Sequence, residues 1–279
     1  MTAIIKNIKP VFLAVLFVIV VVIWYAVFYF ETRQNFLIHF FDIGQGDAIF
    51  IEVPNGNQIL IDGGSSIRIL DKLGGVMPFW DRSLDLIILT HPHADHLDGL
   101  LEVLKRYDAD MIMETGVNHS LPEYEEWRKL LNEKEIRVIT AKRGQRVRLA
   151  ESAGLDVLMP FRNFSGESPK NIHESMIVAK LYYGSNTAFL TGDAEKSLEY
   201  QLLFYGGDLN SDILKVGHHG SKTSTSEEFL KAVSPELAII SVGRKNRYGH
   251  PNQEVIDRII KAGAQVRRTD QNGDILIKW

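Results

Sequence analysis

The chain has 279 residues, a net charge of −4 at neutral pH and no cysteine. Its 45% hydrophobic and 24% charged residues are typical of a globular protein with a sizeable core. The charge excludes a protein that coats nucleic acid through an overall basic surface. The missing cysteines exclude disulfides and thiolate metal sites, leaving His, Asp and Glu as metal donors.

Residues 1–9 read as a short tail carrying Lys6 and Lys9. The stretch "VFLAVLFVIVVVIWYAVFYF", Val11 to Phe30, contains no charge and has the length of about 20 residues that a helix needs to cross a bilayer. The anchor is assigned to residues 10–30, with Trp24, Tyr25 and Tyr29 near its far end, where amphipathic rings favour the interface. Lys6 and Lys9 precede it, while Glu31 and Arg33 nearly cancel after it. The positive-inside rule then puts the N-terminus in the cytoplasm and the body outside, as a single-pass protein of the cell membrane. A cleaved signal peptide is the competing reading; the long apolar run and the lack of a small-residue cleavage site oppose it.

After a linker at 31–35, strand-like runs cover Phe36–Phe41, Ala48–Val53 and Gln58–Ile61, the last two flanking the hairpin signal "PNGN". "LDLIILT" (84–90) reads as a strand buried on both faces. A helix over 97–106 places Leu97, Leu100, Leu101 and Leu104 on one face, and a second over 122–133 opens on Pro122. Short strands follow near 136–139, 146–149 and 155–159. A loop at 160–175 leads into strands at 176–183 and 187–191. Helices near 194–204, 226–232 and 252–262 then alternate with strands near 212–216, 237–242 and 265–268, and a last strand spans 274–278. Strand pairs early and alternation late imply two sheets with helices outside, in one α+β domain over 36–279.

The densest chemistry is "THPHADHLDGL" (90–100). His91 and His93, two apart at a strand end, can point the same way. Asp95 and His96 follow in a turn that opens a helix and can aim back at the same centre. Imidazole and carboxylate together suit zinc, iron or manganese.

Five further stretches stand at strand ends in order: "FDIGQGDA" (41–48), "ILIDGG" (59–64), "FLTGDAE" (189–195), "ILKVGHHGS" (213–221) and "SVGRKNRYGHP" (241–251). With "HPHADH" they resemble the metallo-β-lactamase fold and, over nearly all of 36–279, the extracytoplasmic hydrolase domain of ComEC-type competence proteins. The resemblance implies a four-layer αββα sandwich, here preceded by one transmembrane helix. It also implies one or two divalent metal ions, zinc or manganese. His91 and His93 match ligands of the first metal, Asp95 and His96 those of the second. Asp193 matches the carboxylate that bridges both, although an Asp before a helix also serves as an N-cap.

His218 and His219 lie where another ligand belongs. Adjacent residues in an extended segment face opposite sides, so one of them binds, with His219 preferred. His250 completes the second metal, donates a proton, or is a structural histidine. Many members of the fold add a third histidine to the first metal; between the early cluster and Asp193 stand His119 and His173. His173 is suitably placed before a strand, but the ComEC-type segment has Asn and Ser there, resembling Asn171 and Ser175. Asp62 matches a position that supports a ligand histidine. Asp42 and Asp47 are assigned to the turn between the first strands.

A metal-bound water of lowered pKa is the nucleophile such a site implies, with Asp95 and His250 assigned to the catalytic step. Ser221, Lys222, Arg244 and Arg247 form a plausible phosphate cradle, and Lys142, Arg143, Arg146 and Arg148 a second basic stretch; each also reads as a solvated loop. The resemblance implies a phosphodiesterase or nuclease acting on DNA outside the cytoplasm, as in DNA uptake during competence. The alternatives are a metallo-hydrolase of a small lactam, lactone or ester, and a non-enzymatic assembly module. With one membrane segment, a transport role does not carry over.

Overall fold

In the computed structural model, residues 2–32, 35–205 and 207–279 are described; within the first helix, side chains are described at 10–25 and 27. That helix, α1 (Thr2–Thr32), precedes everything else. Among the described residues no helix is long and apolar enough to cross a membrane. The expected anchor falls partly on side chains outside the described set.

The first half of the domain runs β1 (Leu37–Phe40), β2 (Ile49–Glu52), β3 (Gln58–Ile61), α2 (Arg68–Val76), β4 (Ser83–Ile88), α3 (Ala94–Leu104), β5 (Asp108–Glu114), α4 (Pro122–Glu133) and β6 (Arg137–Thr140). The second half runs β7 (Arg146–Arg148), β8 (Ala153–Met159), β9 (Val178–Tyr183), β10 (Asn186–Leu190), α5 (Lys196–Tyr205), β11 (Ile213–Lys215), α6 (Glu227–Val233), β12 (Leu237–Ile240), α7 (Gln253–Lys261), β13 (Gln265–Arg268), α8 (Thr269–Asn272) and β14 (Ile275–Lys278). These make two seven-stranded sheets, ordered β14-β1-β2-β3-β4-β5-β6 and β13-β12-β11-β10-β9-β8-β7. The last strand returns to the first sheet and pairs antiparallel with β1, Leu37 opposite Lys278.

Each sheet has an antiparallel part and a parallel part. β3 to β6 are parallel neighbours, and so are β10 to β13. Parallel neighbours need crossovers, and the helices supply them on the outer faces. The core is accordingly in three layers. Ile38, Phe40, Leu86, Ile88, Ala188 and Leu190 pack between the sheets. Ile87, Leu89, Leu97, Leu100 and Trp127 pack under the first set of helices, and Phe189, Leu198, Phe229 and Ile259 under the second. Successive strand residues point to opposite faces, so Ile87 and Ile88 serve different layers. That explains why "LDLIILT" is apolar throughout rather than alternating.

Two elements escape the sequence pattern. β5 begins Asp108-Ala-Asp110 with both acids exposed, and Asp is depleted in strands. α2 carries Gly74 and Gly75 and has no side-chain N-cap, so its helical signal is weak. α3 starts earlier than expected, at Ala94, which puts Asp95 and His96 on its first turn.

That start is set by backbone contact. Gly63 N donates to His96 O at 2.8 Å, and Gly99 N to Gly64 O at 2.9 Å. A Cβ on Gly99 would stand 1.8 Å from Gly63 O. The glycines of "DGG" and "LDGL" thus let the helix lie directly on the turn after β3, holding His96 over Asp62.

Candidate metal centre

The site lies where the parallel strands of both sheets end, the place where open α/β sheets put their ligands. The loop after β4 carries His91 and His93, α3 carries Asp95 and His96, the turn after β10 carries Asp193, and the turn after β11 carries His218 and His219. Besides a buried cluster of Asp47, Asp62 and His96, two donor groups result. His91, His93, His173 and Asp193 form one, and Asp95, His96, Asp193 and His219 the other; within each, the donor atoms lie within 4.8 Å of one another. Asp193 belongs to both.

The imidazoles of the second group are deeply buried and fixed from behind. His96 Nδ1 is 2.7 Å from Asp62 Oδ2, and Asp62 is itself held by donation from Thr90 N at 2.8 Å and Thr90 Oγ1 at 2.7 Å. His219 Nδ1 lies 2.9 Å from Ser241 O. Both imidazoles therefore turn Nε2 inward, His96 to 3.3 Å from Asp193 Oδ2 and His219 to 3.3 Å from Asp95 Oδ2. In the first group His91 Nδ1 meets Thr90 Oγ1 at 3.1 Å, while its Nε2 is 3.1 Å from His93 Nδ1. His173 closes that group, its ring 4.8 Å from that of His93 and 5.2 Å from that of His91.

Several buried atoms here lack hydrogen-bond partners: His96 Nε2, His219 Nε2, Asp193 Oδ1 and His173 Nδ1. An unpaired buried polar atom is costly. Four of them converging on two all-nitrogen-and-oxygen donor groups fit divalent cations.

The electrostatics agree. Burial, with the charges of its neighbours, holds His91 well below its ordinary value, and burial with His173 holds His93 down to about 4. Burial also lowers His173. Burial would lower His96 too, but the Asp193 and Asp62 carboxylates outweigh it and hold the ring well above its ordinary value. Asp193 shows the converse: burial raises it, yet His219 and His96 bring it well below the usual carboxylate range. The pocket thus balances buried acids against imidazoles.

Some expected residues lie elsewhere. His218 borders the centre, Nδ1 3.2 Å from Glu195 Oε1 and Nε2 4.0 Å from Asp193 Oδ2, but lies outside both groups. The two histidines are not extended: both have left-handed φ, 47° and 53°. That turn, rather than strand alternation, sends their side chains apart. His250 is half-buried, its ring 5.7 Å from that of His218, and outside both groups. Asn171 accepts from His173 N at 3.1 Å, and Ser175 Oγ donates to Ile172 O at 2.7 Å. They shape the turn that presents His173.

Ser221 is buried and its hydroxyl is tied to Thr223. Lys222 and Arg247 are exposed near the mouth, whereas Arg244 donates to Asp270 O at 3.2 Å. In the second basic stretch Arg146 pairs with Asp156 at 2.6 Å and Arg143 donates to Tyr205 O at 3.1 Å, while Lys142 and Arg148 are exposed. It flanks β7, at the far edge of its sheet.

Asp47 is the residue whose place differs most from the sequence reading. It is buried under the centre, Oδ1 3.5 Å from His219 Nδ1 and Oδ2 4.0 Å from His96 Nδ1. Lys215, with no exposed surface, contacts the Asp47 carboxylate and donates to Gly192 O at 2.9 Å. A Cβ at Gly46 would sit 2.0 Å from Asp95 O, so "GQGD" is packed against α3 and carries Asp47 in. The available signals were the glycine pair before Asp47 and a lysine inside the apolar strand "ILKV".

Fold and donor groups define the class, a metallo-hydrolase. The chain belongs to the metallo-beta-lactamase superfamily, whose pattern matches residues 41–244. It is 32% identical over 255 residues to ComE operon protein 3 of Bacillus subtilis, covering 85% of this chain and 32% of that protein. It is 31% identical over 265 residues to Recombination protein 2 of Haemophilus influenzae, covering 89% and 29%. The chain thus spans about a third of the length of these relatives. Among solved structures, the metallo hydrolase Igni18 from Ignicoccus hospitalis superposes with a TM-score of 0.54 at 18% identity, covering 88% of this chain and 99% of that one. The diiron β-hydroxylase CmlA from Streptomyces venezuelae gives 0.58 at 13%, covering 88% and 54%. At these identities the likeness is one of fold.

Proposed function

We propose that this protein is a metal-dependent phosphodiesterase that cleaves DNA, carried on the outer face of the cell membrane by α1. The observation that carries the reading is the pair of donor groups sharing Asp193. Two cations about 3.5–4 Å apart need an anion between them and suit the in-line displacement of phosphoryl chemistry. A relative named for recombination supports DNA as the substrate.

His91, His93, His173 and Asp193 would hold one ion, and Asp95, His96, Asp193 and His219 the other. Bound there, zinc or manganese supplies a water of lowered pKa and polarises the oxygen under attack. Asp62 and Ser241 O keep Nε2 of His96 and His219 turned inward. Lys222 and Arg247 meet the anionic backbone. His250, with Nδ1 unpaired, is the proton donor to the leaving oxygen.

The test is hydrolysis of single-stranded DNA, bis-p-nitrophenyl phosphate and a chromogenic lactam by the purified chain, after chelation and after return of each metal. Cleavage of both phosphodiesters, restored by metal and lost in Asp193→Asn, is expected. Lactam turnover without phosphodiester cleavage would replace this reading with that of a small-molecule hydrolase. No turnover by metal-loaded protein would leave a binding module.

A further inference from the structure

One exposed aromatic pair adjoins α1, away from the metal centre. Phe79 is 81% exposed and Trp80 55% exposed, in the loop between α2 and β4. Their rings meet edge to face at 4.7 Å. The Trp80 ring also lies 6.5 Å from that of Tyr25 on α1, whose described apolar side chains are themselves exposed from Val11 to Val27. The pair therefore continues the apolar surface of the helix.

Strand direction fixes which way this edge faces. β1 and β3 are both antiparallel to β2, and β3 is parallel to β4, so β1, β3 and β4 all run the same way. The chain enters β1 from α1 at the edge where β4 begins, and Phe79 and Trp80 immediately precede that beginning. The donor loop stands at the opposite edge, where β3 and β4 end. From Arg82 to Thr90 at about 3.3 Å per residue, the two edges are on the order of 25 Å apart.

We propose that Phe79 and Trp80 form a second membrane contact, a lipid-interface foot that stands the domain upright with its metal centre pointing away from the bilayer. This rests on the reading of α1 as the anchor. Aromatic rings are enriched at membrane interfaces, and a contiguous exposed apolar patch on a folded domain marks an interaction surface. The charge beside the rings is mixed, with exposed Asp108 opposite Ser83 and Arg82 donating to the Tyr107 hydroxyl at 2.8 Å, so the two aromatic rings carry the contact. Arg82 is exposed and adjacent. Asp81 is engaged with Ser83 N at 3.2 Å, Ser83 Oγ at 2.9 Å and Gln58 Nε2 at 3.2 Å. A single helix leaves a domain free to tilt; a second contact removes that freedom and keeps the mouth open to substrate from the aqueous side.

The chain has no cysteine, so one introduced thiol can be labelled alone. Phe79→Cys and, at the opposite edge, Lys245→Cys would each carry an environment-sensitive fluorophore on the full chain in vesicles containing brominated lipid. Blue-shifted, lipid-quenched emission at position 79 and water-like emission at 245 are expected. Water-like emission at 79 in a chain that floats with the vesicles would overturn the foot and leave the anchor standing. A chain that does not float overturns the anchor, and the foot with it. As a control on folding, Phe79→Ser with Trp80→Ser should keep bis-p-nitrophenyl phosphate turnover unchanged in detergent, while a label at Arg82→Cys loses its quenching. Retained quenching there would also overturn the foot.

Discussion

The two donor groups share a carboxylate but are built to different standards. In the group of Asp95, His96 and His219 both imidazoles are buried and fixed at Nδ1, by Asp62 and by Ser241 O, while Asp95 is half-buried. The group of His91, His93 and His173 is more open: His93 and His173 are half-buried and His173 Nδ1 has no partner. Supporting hydrogen bonds set ligand orientation and basicity. Both groups draw donors from turns of the second sheet. In the Asp95 group, however, the imidazoles are oriented before any ion arrives, whereas His173 in the other group is not fixed at Nδ1. Occupancy should follow the same order, with the Asp95 group filling first.

The strongest way to break the contrast is at the residue common to both. Asp193→Asn should abolish tight binding at either group and lower hydrolysis by more than the ~10–100-fold that loss of a supporting partner costs, checked by metal analysis beside kinetics. Next is the buried floor. Lys215→Met leaves the Asp47 carboxylate without its cation and should destabilise the chain by about 3–5 kcal/mol. Adding Asp47→Asn should recover much of this, as read from denaturant midpoints; if the pair of changes is as unstable as the single one, Asp47 is not the partner that matters.

Asp62→Asn should then cost about 10–100-fold in affinity at the Asp95 group with little change at the other, measured by competition with a chelating dye. His173→Ala should reduce stoichiometry to one ion while leaving the tighter site unchanged. The smallest effect is on protons. Its carboxylate neighbours hold His96 well above its ordinary value, so the metal-free ring is charged at neutral pH and an entering ion must expel its proton. Burial holds His93 down to about 4, so that ring is already neutral. Affinity of the Asp95 group should therefore fall faster as pH drops below neutral; equal pH slopes at the two groups would remove the distinction.

Legibility in the sequence divides along the same line. His91, His93, Asp95 and His96 sit within one short segment, because one strand end and one helix start suffice to gather them. Asp193 and His219 were readable as strand ends, since apolar runs stop just before them. The His173 assignment stayed open because a turn, not a periodic element, delivers it. Asp47 looked like a turn residue because its role depends on Lys215, far along the chain, and no local pattern reports that meeting. His218 and His250 were read as lesser candidates. His218 does stand 4.0 Å from Asp193 Oδ2, at the rim of the donor groups, on a left-handed turn that no strand pattern reports. In the fold, strongly periodic elements such as α4 were evident, while acid-bearing β5 and glycine-bearing α2 were masked by their own composition.

The arrangement has a consequence for biosynthesis. A polypeptide made from its amino end holds four of the candidate ligands early, but Asp193 and His219 emerge late, and β14 must still seal the edge beside β1. Neither donor group can close until the second sheet has been made, because each needs Asp193.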